Sequence, residues 1–455
     1  MSQSDSMNGF NERSIKVAAT RPYNLRGLAH GQVLVLTVML MITLLGFVSL
    51  ATDMGLLWSE RRQMQTATDA AAIAGATALR SASSISSAAN NVASLNGFTN
   101  GTNSATITVS NPPADGLFAG NANYVEVIIS QPENTYFLRA LGHSTVTVST
   151  RAVSGIENSS GCIYALDPTA QYAISASNGV NITSSCGIYV DSSNAAALQV
   201  IGGAVIKTTG VGVVGTDSVN NGGAIENLSG GALTVSQNIA PVPDPLAHIT
   251  KPSVGSCTYT GTQNYSSYTA SQSPPYSGNY VVSPGVYCGG ISVSNGVSIT
   301  FNAGTYTLAG GGMSLTNGGG TATGSGVTFY NTTGSRAGYS GSNSTYAGIN
   351  IANGVTVNFS APTTGGENSL EGILFFQDSS IPASSAASYF AGGANMTLAG
   401  ALYFPTTQLN YSNGINAAYT ILVADTIVFT GGATMNNNYA SLTNGSPIQS
   451  SSLYE

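Results

Sequence analysis

Apolar positions along the chain follow three regimes. The first is an unbroken run from Val33 to Ala51, VLVLTVMLMITLLGFVSLA, which holds neither a charged residue nor a proline. As a helix rising about 1.5 Å per residue it measures about 28 Å, close to the hydrocarbon thickness of a bilayer. It predicts a membrane-spanning helix. From Met54 to Ala89 the run gives way to a spacing of three to four, with Met64, Ala67, Ala71, Ala74 and Ala78 on one side of a Pro-free, Ala-rich stretch. High helix propensity and that period continue the helix beyond the span, with a face of small residues suited to close helix packing.

The second regime is alternation. Ser104 to Val109, Tyr124 to Ser130 and Ser144 to Val153 each alternate apolar with polar residues and predict strands. Between the last two, NTYFLRALG predicts a short helix whose Tyr136, Phe137, Leu138 and Leu141 form one apolar face, stopped by Gly142. Strand, strand, helix, strand against the long N-terminal helix makes a small α+β module.

The third regime is repetition. Ile174 opens ISASNGVNIT, Ile291 opens ISVSNGVSIT, Ile349 opens INIANGVTVN, and a looser copy, MSLTNGGGTA, starts at Met313. Each reads as a short strand, an Asn-Gly corner that takes positive φ, then another short strand. One copy would equally suit a hairpin with a type I′ turn. Recurrence among Gly- and Thr-rich short strands instead predicts a right-handed parallel β-helix with irregular rungs, with a β-sandwich as the alternative. The fold expected is therefore mainly β with an N-terminal transmembrane α-helix. Residues 1–29 form a disordered cytoplasmic tail, 30–97 the span (33–51) and its helical extension, 98–154 the α+β module, and 155–455 the Gly/Ser/Thr/Asn-rich β-solenoid. Within the solenoid the Pro-rich stretch 240–252 sustains neither helix nor central strand; it reads as a linker or as a loop bulging from one continuous array, the loop being preferred.

Charge sets a direction. Arg13, Lys16, Arg21 and Arg26 precede the span with only Asp5 and Glu12 against them, while Asp53 and Glu60 follow it ahead of Arg61 and Arg62. The positive-inside bias puts the N-terminus in the cytoplasm and the bulk of the chain in the periplasm or outside the cell. Cleavage after Ala51 as a signal peptide is the alternative. Charged residues make up only 7% of the chain against a usual figure of about 25%, and Gly reaches 55 residues. That mix suits short strands and tight turns in an extracytoplasmic setting. Beyond residue 154 the basic residues are Lys207, Lys251 and Arg336, set against eleven acids, which excludes nucleic acid as a partner because phosphate binding needs clustered Lys and Arg.

Candidate chemistry is sparse. Cys162, Cys186, Cys257 and Cys288 form no C-x-x-C pair, and His30, His143 and His248 lie far apart, so a metal site has little support. Beyond a membrane anchor, disulfides are the better reading. Of three connectivities the sequential one, Cys162 with Cys186 and Cys257 with Cys288, is favoured. Glu367, Glu371 and Asp378 are the acids to weigh for a polysaccharide-processing enzyme, where two carboxylates must flank a glycosidic bond. Scattered rim acids that keep a Gly-rich surface soluble explain them more simply, and no catalytic, cofactor or metal site is assigned. Tyr265, Tyr268, Tyr276, Tyr280, Tyr339 and Tyr346, each beside or near Gly or Ser, offer amphipathic surfaces to a glycan or other surface ligand, or pack ordinary rungs.

The stretch RGLAHGQVLVLTVMLMITLLGFVSLATDMGLLWSERRQMQTATDAAAIAGATAL resembles the N-terminal region of Tad (tight adherence, Flp pilus) assembly proteins of the TadE/TadG type. The residues that carry the likeness are Gly31 with Gln32, Asp53, Gly55, Arg61, Arg62, Gln65 and the run Asp69 to Ala76. CIYALDPTA, SSCGIYVDSS, APVPDPLAHITKP and PGVYCGGISVSNGVSITFNAGTYTLAGGG are similar to the long C-terminal region of some Tad-like proteins. The resemblance implies a pilin-like α+β part and a single-pass, non-enzymatic inner-membrane component of pilus assembly. Its partners would be the lipid bilayer and other Tad subunits. Asp53, just past the span, reads either as a partner for another such subunit or a basic site, or equally as a solvated carboxylate at the membrane interface. A membrane-tethered β-helix enzyme and a secreted adhesin are the alternatives.

Overall fold

The computed structural model of the protein describes residues 29–80, 84–158, 160–266, 279–316, 320–352, 354–365, 369–391, 396–413 and 417–454. These fall into two compact units, one within Met1–Met64 and Ser130–Ser149, the other within Gln65–Ile129 and Thr150–Glu455. The tail predicted for 1–29 lies almost wholly outside the described residues.

Helix α1 runs without interruption over Ala29–Arg80, as a Pro-free, Ala- and Leu-rich sequence allows. Helix α2, Ile85–Leu95, follows, with the Ser84 side chain accepting the Ser87 N–H at its start. Next come strands β1 (Thr106–Ser110), β2 (Tyr124–Asn134) and β3 (Thr145–Asn158). The helix expected in NTYFLRALG is a single 3-10 turn, Leu138–Leu141, closed by Gly142 at φ 96°. Its intended apolar face stays outside the core, with Tyr136 71%, Phe137 47% and Leu141 75% exposed.

Small residues on α1 seat it on this sheet. Ala67, Ala71, Ala72 and Ala76 are fully buried, as are Val125, Val127 and Ile129 of β2. A Cβ on Gly75 would lie 2.9 Å from Val125 Cγ1, so the helix backbone approaches β2 more closely than a side chain would allow. The face predicted for packing between helices is thus occupied by the chain's own strand. The sheet order is β1, β2, β3 and finally Gln449–Leu453, which pairs antiparallel with β3 through Ser154 and Leu453. Phe118, Tyr124 and Tyr454 stack at its end, with ring centroids 4.1 to 5.3 Å apart.

Beyond β3 the short strands of the described residues form two large sheets of 15 and 13 strands, and every pairing between them is parallel. Successive strands fall on three faces of a coil, as in Gly161–Ala165, Ile174–Ala176 and Asn181–Ser184, which makes a parallel β-helix and not a sandwich. The two repeated Asn-Gly motifs that lie wholly within the described residues turn the same corner. Asn178 and Gly179 (φ 58° and 72°) and Asn295 and Gly296 (φ 59° and 74°) all take the left-handed conformation open to Asn and Gly. Ile291, Met313 and Ile349 then stack directly in register. Phe301, Phe329, Phe359, Phe375 and Phe390 fill the interior as a ladder of rings.

The winding order is not the order of the sequence. Along one face the strands stack as 259–260, 285–288, 304–309, 327–332, 373–377, 396–404, 420–424, 161–165, 187–190, 211–213 and 236–237. The chain therefore enters in the middle of the array, at Gly161–Ala165, and winds to one end at Ser236–Gln237. It resumes at the opposite end with Tyr259–Thr260 and winds back until Leu422 pairs with Ile163. At about 4.8 Å per strand the gap to be crossed is about 48 Å, and the intervening 21 residues, extended, reach up to about 70 Å. The Pro-rich stretch 240–252 is this return strap. It is not a bulge between adjacent rungs.

The strap lies along that face. Val242 N–H donates to Asp191 Oδ1 at 2.9 Å, Tyr403 Oη to Asp244 Oδ2 at 2.7 Å, and Lys251 Nζ to Asp378 Oδ1 at 3.4 Å, with Leu246 and Ile249 buried. The strands of this face from Val327–Thr332 to Gly161–Ala165 are buried on both sides where the other faces alternate. Two-sided burial of parallel strands explains their continuous apolar runs, ILFF and TILVA among them.

Candidate functional site

Every side chain of α1 from Val33 to Val48 is exposed, Val33 by 61% and Leu45 by 64%, and the helix is long and apolar enough to cross a membrane. Its hydroxyls already have partners one turn back: Thr37 donates to Val33 O, Thr43 to Met39 O, Ser49 to Leu45 O and Thr52 to Val48 O. No polar group of these side chains needs water.

Asp53 follows directly, and its carboxylate is engaged inside the chain. It accepts N–H bonds from Tyr136 at 3.0 Å, Phe137 at 2.9 Å and Leu138 at 2.6 Å, the free donors at the start of the 3-10 turn. Burial pushes this carboxyl up, but the bonds from Leu138, Tyr136 and Phe137 outweigh it and hold the group below its ordinary range. A carboxylate saturated in this way is not offering itself to another subunit.

The other residues of the N-terminal motif take distinct places. Gly31 lies in the first turn of α1. Gly55 faces open space, and Arg61 and Arg62 are exposed. Gln65 and Asp69 are joined, Gln65 Nε2 donating to Asp69 Oδ1 at 2.6 Å and to Arg151 O of β3 at 3.2 Å. Arg151 in turn meets the buried Glu126 of β2 at 2.5 Å. The motif thus divides into a part that fastens α1 to its own sheet and a part, Gly55 and Arg61, that lies on the surface.

Two of the three candidate acids, Asp378 and Glu371, are tied into the fold. Asp378 is fully buried and accepts from Tyr330 Oη at 3.0 Å, Thr332 Oγ1 at 2.9 Å, and Ser380 N and Oγ at 3.0 and 2.9 Å. Arg336 Nε lies at 3.2 Å and Lys251 Nζ at 3.4 Å. Burial raises its pKa, and the bonds from Ser380, Thr332 and Tyr330 overcome that and bring it to about 2. Glu371 binds the backbone and side-chain nitrogens of Asn444 at 2.9 and 2.7 Å. Glu367 lies outside the described residues, as do Tyr268 and Tyr276. Tyr265 and Tyr280 pack edge to face, and Tyr339 and Tyr346 bond to Ser342 O and Gln377. Among the described residues no group of His, Cys, Asp and Glu is arranged to hold a metal.

Disulfides join Cys162 to Cys186 and Cys257 to Cys288, with Cα atoms 5.6 and 5.7 Å apart. Each ties neighbouring coils. Sequence reading missed the cationic partners of Asp378 and the backbone donors on Asp53. Lys251 beside Pro252 in a Pro-rich stretch was the available sign of the first, and the second left none, because backbone N–H groups carry no residue identity.

Residues 31–78 match the model of a family described as Putative Flp pilus-assembly TadE/G-like. The match coincides with nearly the whole of α1 and supports a pilus-related role. No curated protein and no solved structure matches the chain.

Proposed function

We propose that the chain is a non-enzymatic, single-span component of Tad/Flp pilus assembly that holds a β-solenoid outside the cytoplasmic membrane for assembly or adhesive contacts. The observation that carries this reading is the coincidence of the family match at 31–78 with a helix whose predominantly apolar residues 33–48 are uncovered. Two disulfides support an oxidising compartment for the solenoid. The surface residues Gly55 and Arg61 are the part of the motif that would meet other pilus-assembly subunits, and the full engagement of Asp378 and Glu371 argues for a structural role over hydrolysis.

Replacing Leu44 by Arg tests the reading. An Arg at the centre of a span costs about 2.5–3.5 kcal/mol. The variant is expected to leave the alkali-resistant membrane fraction and to abolish surface pili counted by electron microscopy. Pili at normal number from a chain that starts at Thr52 would sink the proposal and favour a secreted adhesin.

A further inference from the structure

The loop that Asp53 holds is itself built to meet lipid. Within six residues it exposes Tyr136 by 71%, Phe137 by 47% and Leu141 by 75%. These side chains do not sit on a floppy segment. Thr135 N–H donates to Ser144 O at 3.1 Å, Thr135 Oγ1 bonds His143 O, and His143 N–H returns to Leu138 O at 3.1 Å. Such a rigid cluster of exposed apolar and aromatic side chains marks an interaction surface.

Its position names the partner. Asp53 is two residues past Ala51, about 3 Å along the helix axis. The three backbone nitrogens at 2.6 to 3.0 Å from its carboxylate place residues 136–138 at that same level. Exposed Met54, Leu56 and Trp58 continue the apolar surface of α1 past this point, and Arg139 on the loop is exposed. Amphipathic rings with a nearby cation at the end of an apolar span match the composition of the membrane–water interface.

We propose that Tyr136, Phe137 and Leu141 form a second membrane contact. They would insert at headgroup level beside the span, with Asp53 as the positioning residue that latches the loop to α1. This rests on the reading of 33–51 as a membrane span. The two contacts together would fix the depth and rotation of the helix, which one tilting helix alone does not.

The chain contains a single tryptophan, Trp58, so site-specific fluorescence is available once it is replaced by Phe. In that background, Ile42→Trp and Phe137→Trp are each reconstituted as full-length protein in phosphatidylethanolamine–phosphatidylglycerol vesicles. The lipids carry bromine near either the carbonyl or the methyl end of the acyl chain. Tryptophan at 42 should lose most emission to deep bromine, and at 137 to shallow bromine with a blue-shifted maximum. An unquenched probe at 137 beside a quenched probe at 42 overturns the second contact and leaves the span standing. Loss of quenching at both overturns the span and the contact with it. Adding Asp53→Ala to the Phe137→Trp chain should abolish quenching at 137 and leave that at 42 unchanged, and retained quenching at 137 overturns the latch.

Discussion

Removing the charge of Asp378 tests the idea that the return strap is clamped at this point. Asp378→Asn keeps the shape of the side chain and removes the attraction for Lys251 and Arg336, whose side chains are 42% and 39% exposed against a fully buried carboxylate. The fall of the Asp378 pKa from 3.8 to about 2, which against burial is produced by the bonds from Ser380, Thr332 and Tyr330, corresponds to about 2 kcal/mol in favour of the charged form. Solvent screening reduces this to about 1–2 kcal/mol, and the half-exposed cations Lys251 and Arg336 add little to it. Asp378→Ala also leaves the hydroxyls of Tyr330 and Thr332 without their acceptor, which raises the cost to about 3–4 kcal/mol. The carboxylate's contribution is complete above the unfolded pKa near 4 and disappears as pH falls through 2. Wild type and Asp378→Asn should therefore differ at pH 7 and converge near pH 2. The assay is thermal melting of the full chain in detergent, paired with thermolysin nicking ahead of Leu246 and Ile249, where the strap would lift. Faster nicking and a lower melting midpoint are expected in the order wild type, Asn, Ala. If all three melt and nick alike at pH 7, the strap is held by something other than this clamp.

Three further outcomes follow from the same structure. Reducing both disulfides, which close separations of 24 and 31 residues, should cost about 3 kcal/mol each in the chain-entropy model, seen as a drop in melting midpoint with dithiothreitol, and peptide mapping of the oxidised chain should return only the two sequential pairs. Gly75→Leu places side-chain atoms where Val125 already stands and should destabilise the seat of α1 on β2 by about 1–3 kcal/mol, with the chain at Leu95 and Phe98, between α2 and β1, becoming open to chymotrypsin while thermolysin sites in the solenoid stay protected. Asp425, raised to about 6 first by burial and then by Asp167 on the neighbouring coil, binds its proton more tightly folded than unfolded. Its stabilising contribution is present below about pH 4 and lost as pH rises through 6, so Asp425→Asn should melt above wild type at pH 7.5 and level with it at pH 4; equal melting at both would refute the burial argument.

Much was legible without coordinates. The apolar run at 33–51 specifies an exposed helix, because nothing but length and composition is needed to fill a bilayer. The Asn-Gly corners at 178–179 and 295–296 specify a turn through positive φ, because that conformation is a property of one or two residues. The alternation on either side specifies which side chains point inward, and recurrence of the unit specifies a stack. Nearest-neighbour chemistry decides all of these, and the chain's own letters supply it.

What the letters did not decide is which unit lies on which. Every coil presents a similar edge, so a strand such as Thr420–Ala424 is competent to pair with many others, and only the closed structure selects Gly161–Ala165. That selection places the start of the array in its middle, makes 240–258 a strap instead of a bulge, and buries a face that a simple solenoid would expose. It also brings Gln449–Leu453 back to β3 across nearly three hundred residues of sequence. The roles of Asp53 and Asp378 belong to the same class. A carboxylate's use depends on which donors arrive beside it, and those donors come from 83 residues away for Tyr136 and 127 for Lys251, beyond the reach of any local pattern.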